Sequence, residues 1–405
     1  MLKLPGEYLI GYAKELANKY GNKYVGTTEE YFYKTFKKDA VTAMMDIIRS
    51  NVKLLDLEYD NFVSETDIVE GGKIQDVIGL LQSKFKEVLN ENNEIEKASY
   101  IYKGKLDAPI GGSANVDEQE ESRYSEELQT LFRSTLFGDD RDRVVLRSDG
   151  TSTYFASDIA YHKDKYDRGY NIMINLLGAD HGGYVKRITS AVDAVSDGNA
   201  KLEVVLMQMV NLEKNGVPFK MSKRKGTFVL LSDVAEAIDV DELKLFMLSK
   251  SPDTQMTFDL VKIKEKSKDN IVYYIQYAYA RTNSLLNKFK EKFGYDYEFK
   301  SSDLQGFIAN APKLIKELTV FMAKYPAIIL ASAEKRAPNM VVDYLKDFTA
   351  MFHSIWGANI KLVDHNNEQY TKSMMAFALC VQNIIENALK CLGVKPKKEL
   401  TKDMM

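Results

Sequence analysis

One short segment of the sequence, PFKMSKRKGTF at residues 218–228, concentrates positive charge. Its four cations, Lys220, Lys223, Arg224 and Lys225, lie within six consecutive positions. A lysine ammonium is a mobile point charge that suits the charge developing on a leaving pyrophosphate, so this loop could stabilise chemistry at a triphosphate. An ordinary solvated basic loop is the preferred interpretation when charge alone is considered.

A second candidate is LLGADHGGY at residues 176–184, which contains Gly178, Asp180 and His181. An apolar run, a glycine-bearing turn and a helix start follow one another here, as they do where ligands collect beyond the carboxyl ends of parallel strands. Glycine allows close backbone approach, and a helix start offers free N–H groups to an anion. An ordinary strand-to-helix turn is the alternative.

A third candidate is YFASD at residues 154–158, where Tyr154 and Asp158 are four positions apart. On a helix this spacing places the phenol and the carboxylate on one side. Asp158 could equally be a first-turn acid that complements the helix dipole, and on spacing alone that interpretation is preferred.

Aromatic residues near cations form a fourth group. Tyr277 lies in YYIQYAYAR at residues 273–281, and Phe352 precedes the single tryptophan, Trp356, by four positions. Aromatic faces beside basic residues can stack unpaired RNA bases. Packing within a helical core explains the same spacing, and on spacing alone that interpretation is preferred.

The elements that must position these residues follow from apolar periodicity. Continuous apolar runs alternating with amphipathic helices predict a parallel sheet covered on both faces, and beyond about residue 255 long helical patterns replace the strands. The predicted helices lie at 8–16, 28–48, 74–85, 157–167, from 184, and at 263–289, 304–325, 341–356 and 370–392. The predicted strands lie at 62–64, 172–177 and 202–212, and Asn215-Gly216 predicts a turn.

Composition narrows the class of protein. The length of 405 residues predicts two or more domains. The net charge of −3 predicts no attraction of the whole molecule to a polyanion. Cys380 and Cys391 are its only cysteines and fit buried, reduced thiols better than a zinc site. The first residues form no apolar run of membrane-spanning length, and no phosphate-binding P-loop, G-x-G-x-x-G or H-E-x-x-H motif occurs.

Several of these segments together resemble a known family. KMSKR at residues 220–224 looks like the KMSKS signature of class I aminoacyl-tRNA synthetases. With it, the chain resembles arginyl-tRNA synthetases of the bacterial type over nearly its whole length. The segments that carry the resemblance are LFRSTLFGDDRDR (131–143), YFASDIAYHKDKYDRG (154–169), LGADHGGYVKR (177–187) and YYIQYAYAR (273–281).

The resemblance implies ATP-dependent activation of arginine and its transfer to tRNA(Arg) in the cytoplasm, with Mg²⁺ bound to ATP, no dedicated protein metal site and no membrane partner. It implies a partial doubly wound, Rossmann-like catalytic domain at 1–255 and an all-helical anticodon-binding domain at 256–405. The resemblance assigns arginine binding to Tyr154, Asp158 and Asp180. It assigns ATP binding to Gly178, His181, Lys220, Met221, Ser222 and Lys223, of which Lys220 and Lys223 are catalytic. It assigns contacts with the tRNA anticodon to Tyr277, Phe352, Trp356 and Met405.

One signature of the family is missing from the sequence. Class I synthetases carry a histidine-x-glycine-histidine motif, but no two of His162, His181, His353 and His365 are three positions apart. We therefore expect a chain that begins inside the catalytic domain, lacks the first strand-helix unit and is inactive without a missing or separately encoded N-terminal half. A complete chain would be a monomer. A non-catalytic, synthetase-derived tRNA-binding protein is the alternative.

Overall fold

The computed structural model describes residues 8–23, 25–90, 92–105, 127–218, 231, 234–235, 238–259, 261, 263, 270–305, 307 and 311–399. The chain divides into two compact units, one formed by Tyr59–Met209 and the other by Met1–Glu58 together with Val210–Met405. The predicted functional boundary at residue 255 falls within the second unit and stays a prediction.

The unit Tyr59–Met209 mixes helices with short sheets. Its elements are α3 (Glu65–Glu70), α4 (Lys73–Gln82), β1 (Phe85–Leu89), β2 (Ile95–Ser99), β3 (Ile101–Gly104), β4 (Gln129–Phe132), β5 (Arg143–Leu146), α5 (Tyr154–Asp167), β6 (Ile172–Gly178), α6 (Val185–Ser196) and β7 (Lys201–Met207). Strands β3, β4 and β5 form an antiparallel sheet, and β1 pairs with β2.

Strands β6 and β7 form the parallel pair that the apolar runs predict. Met173 and Leu202 point into a core that they share with α5 and α6. Ile172, Ile174 and Leu176 on the alternate face are exposed, which differs from the predicted two-sided cover. The run is apolar on both faces, so its sequence could not show which face would be covered.

The second unit begins with α1 (Tyr8–Tyr20) and α2 (Glu29–Leu54) and continues with β8 (Val210–Lys214), β9 (Val217–Pro218), α7 (Val240–Met247) and β10 (Met256–Asp259). The predicted turn at Asn215-Gly216 is confirmed: both residues have positive φ and join β8 to β9. Asp259 accepts hydrogen bonds from both turn amides, at 3.3 and 2.8 Å. This carboxylate ties the hairpin to β10, which runs parallel to β8.

From residue 271 onward the named elements in the described part of the chain are helical. They are α8 (Ile271–Phe293), a 3₁₀ turn (Ser301–Leu304), α9 (Lys313–Met322), α10 (Tyr325–Lys335), α11 (Asn339–Gly357) and α12 (Glu368–Cys391). Their apolar faces meet in one core that includes Phe289, Phe348 and Ile385. The predicted class, α/β followed by a helical domain, is confirmed.

Several local predictions differ from the structure. The strand predicted at 202–212 is instead two strands, β7 and β8, which belong to different sheets. Residues 62–64 form no strand, because the Ser64 hydroxyl instead caps α3 by accepting a hydrogen bond from the Asp67 amide at 3.3 Å. The helix predicted at 304–325 is replaced by α9 and α10, with Pro326 in the first turn of α10. Cys380 is half-buried and Cys391 is exposed, so neither is a fully buried thiol.

Candidate functional site

The first functional helix, α5, begins directly after a turn that follows β5. The Thr153 hydroxyl caps it, accepting from the Ala156 amide at 3.3 Å and donating to the Val144 carbonyl at 2.9 Å. These two hydrogen bonds of the Thr153 hydroxyl fix the start of the helix against the sheet. Tyr154 is the first residue of the helix and is 65% exposed, whereas Asp158, one turn later, is half-buried. The two predicted site residues therefore share one side of α5.

A tyrosine that sequence reasoning missed is bonded to Asp158. The Tyr184 hydroxyl, at the end of the 3₁₀ turn Ala179–Tyr184, donates to Oδ2 of Asp158. Phe155 packs edge-on against the Tyr184 ring at 6.3 Å, and the Arg187 guanidinium lies over that ring at 5.4 Å. The phenol is thus held where it orients the carboxylate. Tyr184 opens the helix of the LGADHGGYVKR segment, but spacing alone gives no indication of a bond 26 residues away.

A chain of hydrogen bonds connects the Asp158 carbonyl to the side chains of His162, Asn175 and Lys165. His162 Nδ1 lies 2.8 Å from the Asp158 carbonyl, which can only accept, so Nδ1 carries the proton. His162 Nε2 then accepts from the Asn175 amide at 2.9 Å, and Lys165 Nζ donates to the Asn175 Oδ1 at 3.1 Å. Burial, aided by the Lys165 charge, lowers the pKa of His162 to about 4. This neutral imidazole joins α5 to β6.

The glycine-bearing turn follows the carboxyl end of β6, as predicted. A Cβ on Gly178 would lie 2.4 Å from Oδ1 of Asp180, so only glycine leaves the Asp180 carboxylate where it is. Asp180 and His181 are both exposed, with His181 Nε2 3.9 Å from Asp180 Oδ2. The turn therefore presents an acid, an imidazole and backbone N–H groups at the edge of a parallel strand pair, where ligands bind in this class of sheet.

These positions form one candidate site. Tyr154 and Asp158 come from α5, while Gly178, Asp180 and His181 come from the turn after β6, and Tyr184 bonds that turn to α5. The predicted ATP and catalytic residues Lys220, Met221, Ser222 and Lys223, and the predicted anticodon residue Met405, lie outside the described residues.

In the helical part, a guanidinium lies against two of the predicted RNA-contacting rings. The Arg281 guanidinium is 4.2 Å from the centre of the Tyr277 ring and 4.6 Å from that of Trp356. It also donates to the Tyr277 hydroxyl at 3.0 Å and to His353 Nδ1 at 2.8 Å. Stacking and hydrogen bonding together fix both rings.

His353 completes this arrangement. Its Nε2 lies 3.0 Å from the Tyr274 carbonyl, so Nε2 carries the proton and Nδ1 accepts from Arg281. Burial lowers the pKa of His353 to about 4, so the imidazole stays neutral beside the guanidinium. Phe352 is fully buried and packs perpendicular to Trp356 at 4.9 Å. Its observed position supports the indole from within the core.

Neither a metal centre nor a membrane span stands out in the described ranges. Within them, no three His, Cys, Asp or Glu side chains converge as metal ligands would. None of the helices there combines the length and the apolar character needed to cross a bilayer.

Comparison with solved structures defines the class of fold. The chain matches a crystal structure from Campylobacter jejuni, described as a candidate arginyl-tRNA synthetase, at 29% identity and a TM-score of 0.75, covering 98% of this chain and 76% of that one. It matches the arginyl-tRNA synthetase of Thermus thermophilus at 16% identity and a TM-score of 0.64, covering 96% and 69%. The fold is that of the aminoacyl-tRNA synthetases.

Sequence comparison then narrows the class. The family described as DALR anticodon binding domain matches residues 275–400. The arginine–tRNA ligase of Allorhizobium ampelinum is 37% identical over 98% of this chain, and that of Paracoccus denitrificans is 39% identical over 98%. The chain is similar to arginyl-tRNA synthetases over nearly its whole length. It spans 65% of the length of each of these two relatives.

Proposed function

We propose that this chain carries out the reaction of arginyl-tRNA synthetases, in which ATP activates arginine to an adenylate and the arginyl group passes to tRNA(Arg). The observation that carries the proposal is the Asp158 carboxylate, oriented by Tyr184 beside the turn that follows β6. In a parallel sheet this is where a small substrate and a nucleotide meet. The non-catalytic alternative has no support in the relatives, which are named arginine–tRNA ligases.

In this proposal, the carboxylates of Asp158 and Asp180 recognise arginine. A guanidinium presents a planar fork of donors that a carboxylate matches with paired, charge-assisted hydrogen bonds. Asp158 is half-buried, so its charge is less screened than that of an exposed acid. Tyr154, on the same side of α5, and the exposed Asp180 complete the proposed arginine site.

The nucleotide is assigned to the turn and to the basic loop. Gly178 allows the backbone to approach ATP closely, and His181 lies beside it on the same turn. Lys220 and Lys223, flanking Met221 and Ser222, are proposed to stabilise the departing pyrophosphate. Mg²⁺ enters with ATP in this scheme and supplies charge neutralisation to the phosphates, while the protein contributes positioning and electrostatics.

The helical part is assigned to the tRNA anticodon. Tyr277 and Trp356, held by Arg281, offer aromatic faces for unpaired bases, and Phe352 supports the indole. Met405 is proposed to add a contact from the last residue. This assignment follows the match of residues 275–400 to an anticodon-binding family.

Two further points concern partners. The sequence contains no histidine-x-glycine-histidine motif, so we propose that a polypeptide segment carrying one completes the ATP site. We place the working protein in the cytoplasm as a monomer.

The test is arginine-dependent exchange of pyrophosphate into ATP, with tRNA(Arg) present, for the chain alone and with a polypeptide supplying the histidine motif. Exchange that needs arginine and is not supported by lysine is expected in the supplemented reaction. The variants Lys220→Ala and Lys223→Ala should each lose about two to three orders of magnitude in rate. A supplemented reaction that stays silent while tRNA still binds would refute the proposal, and exchange by the chain alone would refute the need for the added segment.

A further inference from the structure

Near the end of the described chain, a short segment lies on helices α7 and α8. This C-terminal strap consists of residues 393–397, which follow α12 and include two lysines, Lys395 and Lys397. Val394 is buried in the helical core and fixes the start of the strap. None of the roles assigned above uses this segment.

One buried side chain, the amide of Gln276 on α8, holds the backbone of the C-terminal strap. Gln276 Nε2 donates to the Lys395 carbonyl at 3.0 Å, and the Lys397 amide donates to Gln276 Oε1 at 2.8 Å. Because Gln276 is buried, water competes little for these two hydrogen bonds. The strap therefore has one defined path, which brings the Lys397 side chain to the start of α7.

The Lys397 ammonium lies between two carboxylates at the start of α7. Its Nζ donates to Oε1 of Glu242 at 2.9 Å and lies 3.3 Å from Oδ2 of Asp239. Asp239 is also the N-cap of α7, since its Oδ1 accepts from the amides of Asp241 and Glu242 at 3.0 and 3.2 Å. One cation therefore holds both the cap and the first turn of this helix.

The two lysines of the strap differ in how strongly their ion pairs can act. The Lys397 side chain is 18% exposed, so water screens its pairs less than those of a surface lysine. Burial lowers the pKa of Lys397, but the hydrogen bond and charge of Glu242, together with Asp239, outweigh burial and raise the pKa above its ordinary value. Lys395 instead pairs with Asp56 at 2.7 Å, where the two side chains are 75% and 51% exposed, and such a pair contributes little to stability.

The start of α7 is one of two fixed points on either side of the basic loop at residues 220–226. Before the loop, the described chain reaches Pro218 at the end of β9. After it, the Ile238 amide donates to the Val234 carbonyl at 3.0 Å, and Ile238 is buried in a small core that β10 and α7 share. The position of α7 therefore determines where the chain after the loop is anchored.

The anchor before the loop is built on the same small core. Val210 and Leu212 of β8 pack against it, and the buried Asp259 on β10 bonds the turn that joins β8 to β9. Electrostatic stabilisation of a departing group depends on donors that are held in place before the reaction. Two anchors on one core meet that requirement for a loop between them, and the C-terminal strap fastens the second anchor.

We infer that Lys397 is a positioning residue for the proposed reaction. Through its two carboxylate partners it fixes the start of α7, and with it the chain that follows Lys220 and Lys223. The inference rests on the proposed function, which assigns stabilisation of the departing pyrophosphate to those two lysines. In this scheme Lys397 touches neither ATP nor arginine. Loss of its charge should therefore lower kcat and leave the KM for arginine unchanged.

The test is arginine-dependent pyrophosphate exchange by the full chain, with tRNA(Arg) and the polypeptide that supplies the histidine motif. Lys397→Met keeps an unbranched apolar side chain but removes the charge, and its kcat should fall about tenfold to a hundredfold, the size of effect expected when a catalytic group is slightly misplaced. Lys397→Arg keeps a cation between the two carboxylates and should retain most of the rate. Lys395→Ala removes only an exposed ion pair of the same strap and is the matched control, with unchanged kcat.

A second variant approaches the same ion pair from the side of α7. Glu242→Gln removes the charge that Lys397 Nζ contacts at 2.9 Å and should lower kcat in the same direction as Lys397→Met. Urea unfolding of every variant shows that it is folded under the conditions of the assay. A normal kcat in a folded Glu242→Gln chain would contradict the role given to the pair.

A double variant separates positioning of the loop from a general loss of structure. If Lys397 acts through the basic loop, Lys397→Met should cost less in a Lys223→Ala background than in the unaltered chain, because residues that act as a unit have non-additive effects. The same fold-loss in both backgrounds, or an equal loss for Lys395→Ala, would overturn the inference.

The same assay separates this inference from the proposed function. Exchange by the unaltered chain, with an unaffected kcat in Lys397→Met, would remove the inference and leave the ligase proposal standing. A rise in the KM for arginine in place of a fall in kcat would have the same consequence. No exchange in any supplemented reaction would remove the ligase proposal and this inference together.

Discussion

The Tyr184 hydroxyl donates a hydrogen bond to the carboxylate of Asp158, and this bond joins the turn after β6 to helix α5. A carboxylate on a helix surface can rotate among several positions, and a fixed donor selects one of them. The proposed arginine site is therefore oriented by a residue that does not itself need to touch the guanidinium.

The first prediction concerns this bond. Tyr184→Phe keeps the ring that packs on Phe155 but removes the donor, so the Asp158 carboxylate loses its orientation. A hydrogen bond to a charged group contributes about 1.5 to 3 kcal/mol, so the KM for arginine should rise about tenfold to a hundredfold. The KM for ATP should stay unchanged in the same exchange assay.

Tyr170→Phe is the control, because Tyr170 is exposed and follows α5 outside the proposed site. A Tyr184→Phe enzyme with unaltered arginine KM, or one whose KM values for arginine and ATP rise together, would show that the bond does not position the arginine ligand.

The second prediction concerns the turn itself. Gly178→Ala places a Cβ within 2.4 Å of the Asp180 Oδ1, while the φ of −63° is ordinary for alanine. The exposed Asp180 side chain should move aside, so the free energy of unfolding should change little while the KM for arginine or ATP rises. Gly183→Ala meets no atom within 4 Å and serves as the matched control. Equal kinetics for the two alanine variants would contradict the role given to Gly178.

The third prediction concerns the LFRSTLFGDDRDR segment, which the site does not use. Arg143 and Asp139 are both buried, and two hydrogen bonds of 2.8 and 2.9 Å join them. Burial raises the pKa of Asp139, but the hydrogen bonds and charge of Arg143 outweigh it and lower the value to about 2. This ion pair therefore stabilises the loop that joins β4 to β5.

Asp139→Asn leaves the Arg143 charge buried with a weaker partner. Removing one member of a buried ion pair costs about 3 to 5 kcal/mol, and urea unfolding should show a loss of that size. Asp140→Asn is the control: its carboxylate bonds to the same guanidinium at 2.6 Å but is 70% exposed, so the loss should stay within about 1 kcal/mol. Similar losses of unfolding free energy in both variants would contradict the stabilising role given to the buried Asp139–Arg143 pair.

Sequence patterns predicted the parts of this fold that local rules control. The turn at Asn215-Gly216 requires two positive φ angles, which this dipeptide adopts readily, and it formed where expected. Strand β6 and helices α8, α11 and α12 carry long, strongly periodic apolar patterns, and all of them are present. The paired positions Tyr154 and Asp158 were also placed correctly on one side of a helix.

Contacts between distant segments could not be predicted in this way. No spacing rule connects Tyr184 with Asp158, or Arg281 with His353, because such pairs depend on how α5, α6, α8 and α11 pack. The ion pair between Lys397 and the start of α7 was missed for the same reason, since it joins two segments that are distant in the chain. The strand predicted at 62–64 failed because three apolar or small residues carry too little periodicity to outweigh a helix cap at Ser64.

The last prediction concerns acid stability. Burial lowers the pKa of His162 and of His353 to about 4, and both neutral rings accept one hydrogen bond and donate another. In the unfolded chain a histidine titrates near its ordinary value of 6.5. Between these two values the unfolded state binds more protons than the folded state, so stability falls as pH drops from about 6.5 towards 4.

Each buried histidine should cost roughly 2 kcal/mol of unfolding free energy between about pH 7 and pH 5. His162→Gln should remove that share of the pH dependence, whereas His365→Gln, at an exposed position, should leave it unchanged. Urea unfolding of the three proteins at both pH values measures the difference. Asp139 contributes little to the pH dependence of stability in this range, because its lowered pKa places the loss of its stabilising contribution below pH 4. If NMR shows His162 protonated at pH 5 in the folded chain, the buried neutral network beneath Asp158 is not what holds α5 to β6.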